Sequence, residues 1–368
     1  EHGGRVVIRR IELTDFRNYA RETIELSTGV TAVVGDNAQG KTSLAEAMSY
    51  LATLRSFRGA PNDALVRSGA DSAYVRAEIR QDDGREILVE AEINRAGRNR
   101  VLVNKQRLPR IRELLGVVRT TVFAPSDLEL VTGGPSERRT LMDDALVALA
   151  TKNDALCAEV DRVVRQRNVL LKQAAGRLSA DTEMTLDVWD EKFAEVGDRL
   201  GHARATLVAR LTPHVLTAYE VLAGAPTPID LVYEPEWRRD GGLAAALAAA
   251  RSDDVRRGVS TVGPHRDDLI IDLKGMTARL TASQGECRTL ALALRLGVHR
   301  LVTEHVGETP LLVLDDVLSE LDPHRCEALL RHLPPGQVII TTASPLPAAA
   351  MPDTVIRIAG GSVVREGA

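Results

Sequence analysis

The chain has 368 residues, 44% of them hydrophobic, which is enough for two or three domains with a substantial core. It contains no run of 18 apolar residues and does not begin with the charged-then-apolar pattern of a secretory signal, so the sequence predicts neither a membrane span nor a signal segment. Its net charge is −4. Contact with a nucleic acid would therefore require a local basic patch, because the field of the whole chain opposes it.

The cysteines indicate the expected cellular location, and the first residues indicate where the predicted fold begins. Cys157, Cys287 and Cys326 are odd in number and lack C-x-x-C spacing, so neither a disulfide framework nor a zinc site follows. A reducing cytoplasm is the expected location. Residues 1–4 read as an appended segment, and we leave them out of the predicted fold.

The first predicted elements are two strands, residues 5–13 and 23–26, joined by a turn at residues 15–19. The turn carries Arg17, Asn18 and two aromatic residues. A base, an amide and aromatic rings suit contact with a purine ring, which makes Arg17 and Asn18 candidate nucleotide contacts. A plain surface hairpin accounts for the same residues equally well.

Residues 35–42 fit G-x-x-x-x-G-K-[ST], the phosphate-binding P-loop. An apolar strand at residues 30–34 precedes the loop and a helical pattern of apolar residues follows it, as the motif requires. In such a loop backbone N–H groups and a helix N-terminus face the phosphates, while Lys41 reaches the β- and γ-phosphates and the Thr42 hydroxyl binds Mg²⁺. A glycine-rich turn that matches by chance is the alternative. The candidate ATP-binding residues are Gly35, Asp36, Asn37, Ala38, Gln39, Gly40, Lys41 and Thr42.

After the P-loop helix, alternating residues predict a β-meander over residues 73–80, 85–93 and 100–103, with Asp83-Gly84 as a hairpin turn. A short strand at residues 122–125 ends this block. The meander is typical of an antiparallel β-subdomain.

From about residue 135 the composition becomes strongly helical. Two runs with heptad-like spacing predict an antiparallel helical hairpin. Arg167 interrupts the apolar seam of the first helix, and Pro213 should end or kink the second. The first helix is also basic, which a solvated helix face explains better than a binding surface does. The two runs are Leu156, Val160, Val163, Arg167, Leu170, Ala174 and Trp189, Phe193, Val196, Leu200, Ala203, Leu207.

The apolar strand at residues 311–314 ends in Asp315 and Asp316, the pattern of a Walker B strand. At the carboxyl edge of a parallel sheet, Asp315 would hold Mg²⁺ through its water shell beside Thr42. Asp316 would then act as general base or orient the attacking water. Alone this string is weak, because buried strands often end in Asp, but a P-loop in the same chain strengthens it.

Residues 283–285 fit the S-x-G-[QE] signature of ABC-type ATPases. In that role Ser283, Gln284 and Gly285 contact the γ-phosphate bound by a second subunit. A helix N-cap would also use a serine and a glycine here, and this alternative stays open.

The order of these motifs predicts the fold. It is an α/β, ABC-type P-loop ATPase head, with a parallel core sheet flanked by helices, an antiparallel β-subdomain and an inserted α-helical arm. We assign residues 5–135 to the N-terminal part of the head, 136–257 to the arm and 258–368 to the C-terminal part of the head.

Four strings make the chain resemble the bacterial RecF family: residues 16–19, 123–128, 263–268 and 314–322. The resemblance runs from about residue 5 to the C-terminal strands. It implies an ATP-dependent DNA-binding protein of recombinational repair that acts in the cytoplasm. In that family two heads dimerise around two ATP molecules, bind single- or double-stranded DNA including gap junctions, and help RecR and RecO to load recombinase. Slow hydrolysis, stimulated by DNA, would release the clamp.

The resemblance also implies roles for individual residues. Lys41, Thr42 and Asp315 would bind Mg-ATP, Asp316 would be the general base, and Asp322 would be the D-loop carboxylate. The sequence departs from the ABC pattern at four places. Ala38 replaces a glycine and should have an ordinary φ, Glu286 replaces a glutamine, residues 125–126 stand where a Q-loop glutamine is expected, and Thr342 stands in place of a switch histidine.

Two other classes of protein compete with an ATP-switched DNA clamp. An ABC module coupled to a protein partner would not be stimulated by DNA. A scaffold that binds nucleotide without turnover would bind its partners without ATP, although the presence of both Asp315 and Asp316 argues against a dead site.

Overall fold

A computed structural model of the chain describes residues 4–174, 176–239 and 241–364. The segment predicted to be appended, residues 1–4, lies outside this description except for Gly4. The strands are β1 Gly4–Phe16, β2 Tyr19–Glu25, β3 Val30–Val34, β4 Ser72–Gln81, β5 Glu86–Asn94, β6 Arg100–Val103, β7 Gln106–Arg107, β8 Thr120–Phe123, β9 Ile229–Val232, β10 Ile270–Leu273, β11 Met276–Thr277, β12 Glu308–Thr309, β13 Leu311–Asp315, β14 Val338–Thr342, β15 Thr354–Ala359 and β16 Ser362–Val363. The helices are α1 Lys41–Thr53, α2 Asn62–Leu65, α3 Glu129–Thr132, α4 Pro135–Leu149, α5 Lys152–Gln173, α6 Ala180–Ala223, α7 Gly242–Arg257, α8 Ala278–Thr281, α9 Gln284–Val306 and α10 Pro323–Arg331.

The chain divides into two compact units. The head unit comprises Glu1–Leu128, His214–Pro226 and Ser283–Ala368, and the arm unit comprises Glu129–Pro213 and Thr227–Ala282. The predicted arm, residues 136–257, falls in the arm unit apart from residues 214–226, and the unit extends beyond it to residue 282.

A six-stranded sheet forms the centre of the head unit, in the order β16-β15-β3-β14-β13-β8. From β15 to β8 all pairs are parallel, and the apolar sequences of β3, β13 and β14 suit strands that are buried on both faces. Because β3, β14 and β13 are parallel neighbours, the carboxyl ends of β3 and β13 lie at the same edge of the sheet. The P-loop follows β3 and Asp315 ends β13.

A second sheet of the head unit has the order β12-β1-β4-β5-β6-β7, with β2 paired to β1. In β4, buried and more exposed residues alternate, so one face packs on the core that includes Leu44 and Met48 of α1. The predicted β-meander is confirmed to within about two residues at each end. Gly84 has φ 83° in the hairpin turn between β4 and β5, a conformation that favours glycine.

In the arm unit, α5 and α6 form the predicted antiparallel hairpin. Leu171 packs near Leu186, Arg167 bonds to Asp190 at 2.6 Å, and Lys192 pairs with a residue further towards the start of α5. Arg167 is not a flaw in the seam, because its fully buried guanidinium also donates to Asp254 and Ser260. A small sheet in the order β11-β10-β9 completes the unit.

Pro213 was predicted to end or kink the second helix, and it does not end it, since α6 continues through Pro213 to Ala223. Proline removes one backbone donor, but Leu211 and Val215 on either side of it are both fully buried. Apolar burial on both flanks outweighs one missing hydrogen bond. The boundary between the two units falls at this proline.

Two further features concern location. All three cysteines are free thiols, so the structure contains the unpaired sulfurs that the sequence predicts, and the cytoplasmic location stays a prediction. Among the helices of the described residues, none has both the length and the apolar character needed to cross a bilayer.

Candidate nucleotide-binding site

The P-loop connects β3 to α1 in the head unit, and two of its glycines are sterically required. A Cβ on Gly35 would collide with the backbone carbonyl oxygen of Ile358. Gly40 has φ 122°, and a Cβ there would lie 2.9 Å from the Asn18 amide nitrogen. The loop is therefore held close to the neighbouring backbone, and only glycine fits at these two positions.

Lys41 is folded back onto its own loop. Its Nζ donates to the carbonyl oxygens of Gly35 and Asp36, both at 2.7 Å, and its side chain is largely buried. An ammonium held only by backbone carbonyls keeps a full charge that is not neutralised by a carboxylate. It can therefore exchange these contacts for phosphate oxygens.

Asp315 lies beside the first turn of α1, as predicted. Its Oδ1 accepts hydrogen bonds from the hydroxyls of Thr42 at 3.1 Å and Thr341 at 2.7 Å. Burial raises the pKa of this carboxyl, the two hydroxyls and the charge of Arg58 act against that rise, and the neighbouring Asp316 adds to it. A buried carboxylate next to a hydroxyl offers the oxygen ligands that Mg²⁺ prefers.

Asp316 has an unusual backbone and an unpartnered oxygen. Its φ of 54° is left-handed, and its N–H donates to Thr341 at both the carbonyl oxygen and Oγ1. Its Oδ1 is buried with no hydrogen-bond partner among the described residues. Backbone strain and an unsatisfied carboxylate oxygen both cost stability, and their coincidence at one residue makes Asp316 a candidate for a functional role.

These residues line one cavity of about 1000 Å³ in the head unit. Of the predicted P-loop residues, Gly35, Asp36 and Gln39 are not part of its lining, whereas the others are. Residues 125–126, which stand at the Q-loop position, also contribute to the wall. The lining is Arg17, Asn18, Asn37, Ala38, Gly40, Lys41, Thr42, Ser43, Phe57, Arg58, Asp63, Ala64, Val66, Ser68, Arg95, Ala124, Pro125, Ser126, Asp315 and Asp316.

The turn at residues 15–19 reaches this cavity through two different anchors. Asn18 donates to the carbonyl oxygen of Gln39 at 3.0 Å. Arg17 is held by the fully buried Glu46 of α1, with two N–O distances of 2.7 Å, and also donates to Ala64. Arg17 therefore reaches the cavity as part of a fixed ion pair.

Glu46 was missed by the sequence analysis. Besides pairing with Arg17, Glu46 accepts a hydrogen bond from Ser56. The Oγ of Ser56 in turn accepts one from the backbone N–H of Arg58 at 3.1 Å. One buried carboxylate thus fixes both Arg17 and the segment that carries Phe57 and Arg58. A glutamate between two alanines of an otherwise buried helical stripe was the signal that could have revealed it.

Ser283 and its neighbours do not line the cavity. Ser283 is the exposed N-cap of α9, and it forms a capping box with Glu286, which explains a glutamate at that position. Gln284 and Gly285 begin α9, and Gly285 lies near Arg325. The geometry of one chain thus shows the helix cap, and the role towards a second subunit stays a prediction.

Three other predictions have simple outcomes. Asp322 caps α10, where the backbone N–H of Arg325 lowers the pKa of its carboxyl, and it does not line the cavity. Thr342 is fully buried and bonds to Ser344, so it does not reach the cavity either. Ala38 has φ 63°, which means that the prediction of an ordinary φ is wrong: the loop needs a left-handed residue where glycine is usual.

Comparison with known proteins agrees with this geometry. Residues 7–361 match the family model described as RecF/RecN/SMC N terminal domain. The chain is 44% identical to the DNA replication and repair protein RecF of Streptomyces avermitilis, over 92% of this chain and 93% of that protein. It is 41% identical to the RecF of Acidothermus cellulolyticus, over 92% and 93%.

Solved structures extend the comparison to three dimensions. The recombination mediator protein RecF with ATP, in the RecFOR pathway, has a TM-score of 0.90 and 30% identity, over 99% of this chain and 98% of that one. An Smc head domain from Pyrococcus furiosus shares the fold alone, with a TM-score of 0.56 and 16% identity over 97% and 95%.

A P-loop, a Walker B strand and an inserted helical arm on this sheet define an ATPase head of the RecF/RecN/SMC class, which confirms the predicted fold class. Within that class the relatives decide the family. The chain belongs to the RecF family of DNA replication and repair proteins, as the resemblance predicted.

Proposed function

We propose that this chain is an ATP-switched DNA-binding protein of recombinational repair and replication restart. ATP would join two heads into a clamp on DNA near single-strand gaps, and the clamp would help load recombinase together with RecO and RecR. Slow, DNA-stimulated hydrolysis would reset it. The observation that carries the proposal is the convergence of Lys41, Thr42, Asp315 and the unpartnered Asp316 oxygen on one cavity.

The residues of the cavity fit Mg-ATP as substrate. Lys41 supplies a charge that no carboxylate neutralises, and the N-terminus of α1 supplies backbone donors for phosphate. Thr42 and Asp315 would hold Mg²⁺, which when bound neutralises charge on the β- and γ-phosphates. Among the described residues no cluster of three or more side chains could hold a metal alone, so the substrate and water would complete its shell.

The turnover step is assigned to Asp316. Its buried Oδ1 accepts no hydrogen bond from the described residues, so it is available to take a proton from, or to orient, an attacking water. Thr342 is turned into the protein core and residues 125–126 have no glutamine, so the usual additional water ligands of ABC heads are missing. Slow hydrolysis is the expected consequence.

Ser283 and Asp322 would act in a dimer. Ser283 is exposed at the N-terminus of a 23-residue helix, where the helix dipole favours an anionic group from a second copy. Asp322 likewise caps a helix and lies outside the cavity of its own chain. In the dimer, the signature residues of one chain would complete the ATP site of the other.

The first test is the mass of the protein in solution with and without Mg-ATP, using Asp316→Asn to block turnover. A shift from monomer to dimer with ATP is expected. Ser283→Asp should abolish the shift, because aspartate caps a helix as well as serine but brings a negative charge towards the γ-phosphate. Ser283→Asn is the matched control, since it keeps the cap without the charge.

A monomer at saturating ATP, with and without DNA, would leave Ser283 as a helix cap only and would remove the clamp. Lys41→Arg tests the switch itself. If DNA binding survives in this variant without ATP, then ATP does not control DNA binding. Hydrolysis that DNA does not stimulate would favour an ABC module that acts on a protein partner.

A further inference from the structure

The sheet that carries β1, β4, β5, β6 and β7 ends in an unusually basic edge. Residues 95–119 contain eight Arg or Lys and one acidic residue, in a chain whose net charge is −4. Five of the basic residues lie on and around β6 and β7, the last two strands of the sheet. We call this surface the basic edge: Arg98, Arg100, Lys105, Arg107 and Arg110.

Two other arginines of the same sheet are neutralised. Arg10 pairs with Glu12, Glu25 and Glu78, and Arg76 pairs with Glu12 and Glu90. On the basic edge only Arg100 has such a partner, Glu92 at 3.6 Å. Within the described residues, the side chains of the remaining four members have no acidic partner, and all four are exposed.

The fold presents these charges together. Arg107 is directly opposite Leu102, so it shares a face with Arg100, whereas the neighbouring Val101 is buried in the core. Arg98 and Lys105 lie at the two ends of β6, a strand about 13 Å long. Duplex DNA carries one negative charge for every ~1.7 Å of its axis when both strands are counted, so a duplex segment of this length carries about eight charges on its two strands.

Lys105 adds an independent observation. It shares the tight turn between β6 and β7 with Asn104, and both residues have positive φ, 65° for Lys105 and 50° for Asn104. Such turns favour Asn-Gly, because a side chain at the second position is strained. A lysine at this tip costs stability, and a cation that is kept against backbone strain indicates a binding role.

We propose that the basic edge binds the phosphate backbone of DNA; this inference rests on the proposed function. Residues 95–112 contain no aromatic side chain that could stack on a base. Contact is thus with phosphates, through bidentate arginines and one lysine, and it does not depend on base sequence. The basic first helix of the arm suits this role less well, because Arg167 is buried there and Arg162 pairs with Glu159.

The test uses the triple variant Lys105→Gly, Arg107→Gln, Arg110→Gln and a short fluorescent DNA duplex, with Mg-ATP present. The matched control removes three exposed charges elsewhere: Arg85→Gln, Arg256→Gln, Arg331→Gln. Each lost phosphate contact should reduce the slope of log affinity against log salt by about 0.9, so we expect a decrease of about 2–3 for the triple variant and little change for the control. At moderate salt the triple variant should bind at least ~10-fold more weakly.

Lys105→Gly alone separates charge from fold. Glycine relieves the left-handed strain, so the melting temperature should stay equal or rise by about 2 °C while DNA affinity falls. Equal salt slopes for wild type and triple variant would overturn the basic edge and leave the proposed function standing. Binding of poly-glutamate as tight as that of DNA would also overturn it, because the edge would then be a general anion surface. A wild-type protein that binds no DNA at low salt would overturn the proposed function itself.

Discussion

Two strings that carry the family resemblance, residues 314–322 in the head unit and residues 263–268 in the arm unit, differ in how their carboxylates are bonded. In the head unit, Asp316 lines a cavity together with Lys41 of the P-loop. The Lys41 ammonium is held only by backbone carbonyls, and Oδ1 of Asp316 has no hydrogen-bond partner among the described residues. In the arm unit, most polar groups of the string at residues 263–268 are bonded within the unit, although the buried Nδ1 of His265 has no hydrogen-bond partner among the described residues. Asp267 accepts from Tyr233 and Trp237 at 2.5 and 2.6 Å, and Asp268 pairs with Arg138.

The difference shows that a sequence motif can serve either the stability of the fold or the binding of a ligand. A polar group that the fold satisfies stabilises the fold, and one that the fold leaves available is open to a ligand. The arm-unit string, including the carbonyl of Pro264 that accepts from Arg204 at 2.7 Å, therefore reads as a framework for the helices around it. The head-unit string, residues 314–322, contributes to the candidate nucleotide-binding site.

The largest expected effect tests the framework. Arg167→Met should reduce the free energy of unfolding by about 3–5 kcal/mol, because it leaves the fully buried Asp254 without its cation. Denaturant unfolding measures it, and Arg165→Met, exposed on the same helix, should change stability by no more than ~0.5 kcal/mol. A loss as small as that of the control would mean that the buried ion pair does not hold the arm unit together.

A pH effect comes next, and both units should show it. Burial lowers the pKa of His299 in the head unit and of His265 in the arm unit, each to about 4. In the unfolded chain a histidine takes up its proton near pH 6.5, so the folded state, which binds it only near pH 4, loses stability as pH falls between these values. Each histidine should contribute a loss of ~3 kcal/mol.

The measurement is the free energy of unfolding of wild type and His299→Gln at a series of pH values between 7 and about 4. The variant should lose less stability over this range than the wild type. Parallel curves would show that the pKa of His299 is the same in the folded and unfolded chain, and the lowering of that pKa by burial would then be wrong.

Most of the fold, but only part of the candidate nucleotide-binding site, could be predicted from the sequence. Regular spacing predicted the meander, the helical hairpin and the P-loop, since each depends on local pattern. The partners of Arg17 and Arg167 could not be predicted, because Glu46 and Asp254 lie far from them in sequence and spacing says nothing about side-chain pairing. The left-handed backbone of Ala38 could not be predicted either. Alanine favours a negative φ, whereas the P-loop holds Ala38 at φ 63°.

Glu46 sharpens the contrast between framework and site because it belongs to both. Glu46→Gln removes the charge that holds Arg17 and weakens the bond to Ser56, so we expect a loss of about 2 kcal/mol in stability. ATP binding should also weaken about tenfold, or ~1.4 kcal/mol, because the cavity wall loosens. Calorimetry with Asp316→Asn as background measures both.

Glu327→Gln is the matched control, since it makes the same change in an exposed pair with Arg331 and should cost no more than ~0.5 kcal/mol. If Glu46→Gln lowers stability but leaves ATP affinity unchanged, then Glu46 belongs to the framework alone.

The smallest effect concerns one methyl group. Ala38→Gly should raise the free energy of unfolding by up to ~1 kcal/mol, because φ 63° is strained for alanine and free for glycine. Ala155→Gly, at an exposed position of the helix α5, should lower it by about as much, since glycine there only loses helix propensity. Opposite signs for the same substitution would show that the head unit keeps a strained residue in its phosphate loop. Equal losses at both positions would mean that the loop relaxes around Ala38, and the strain would then not be part of the site.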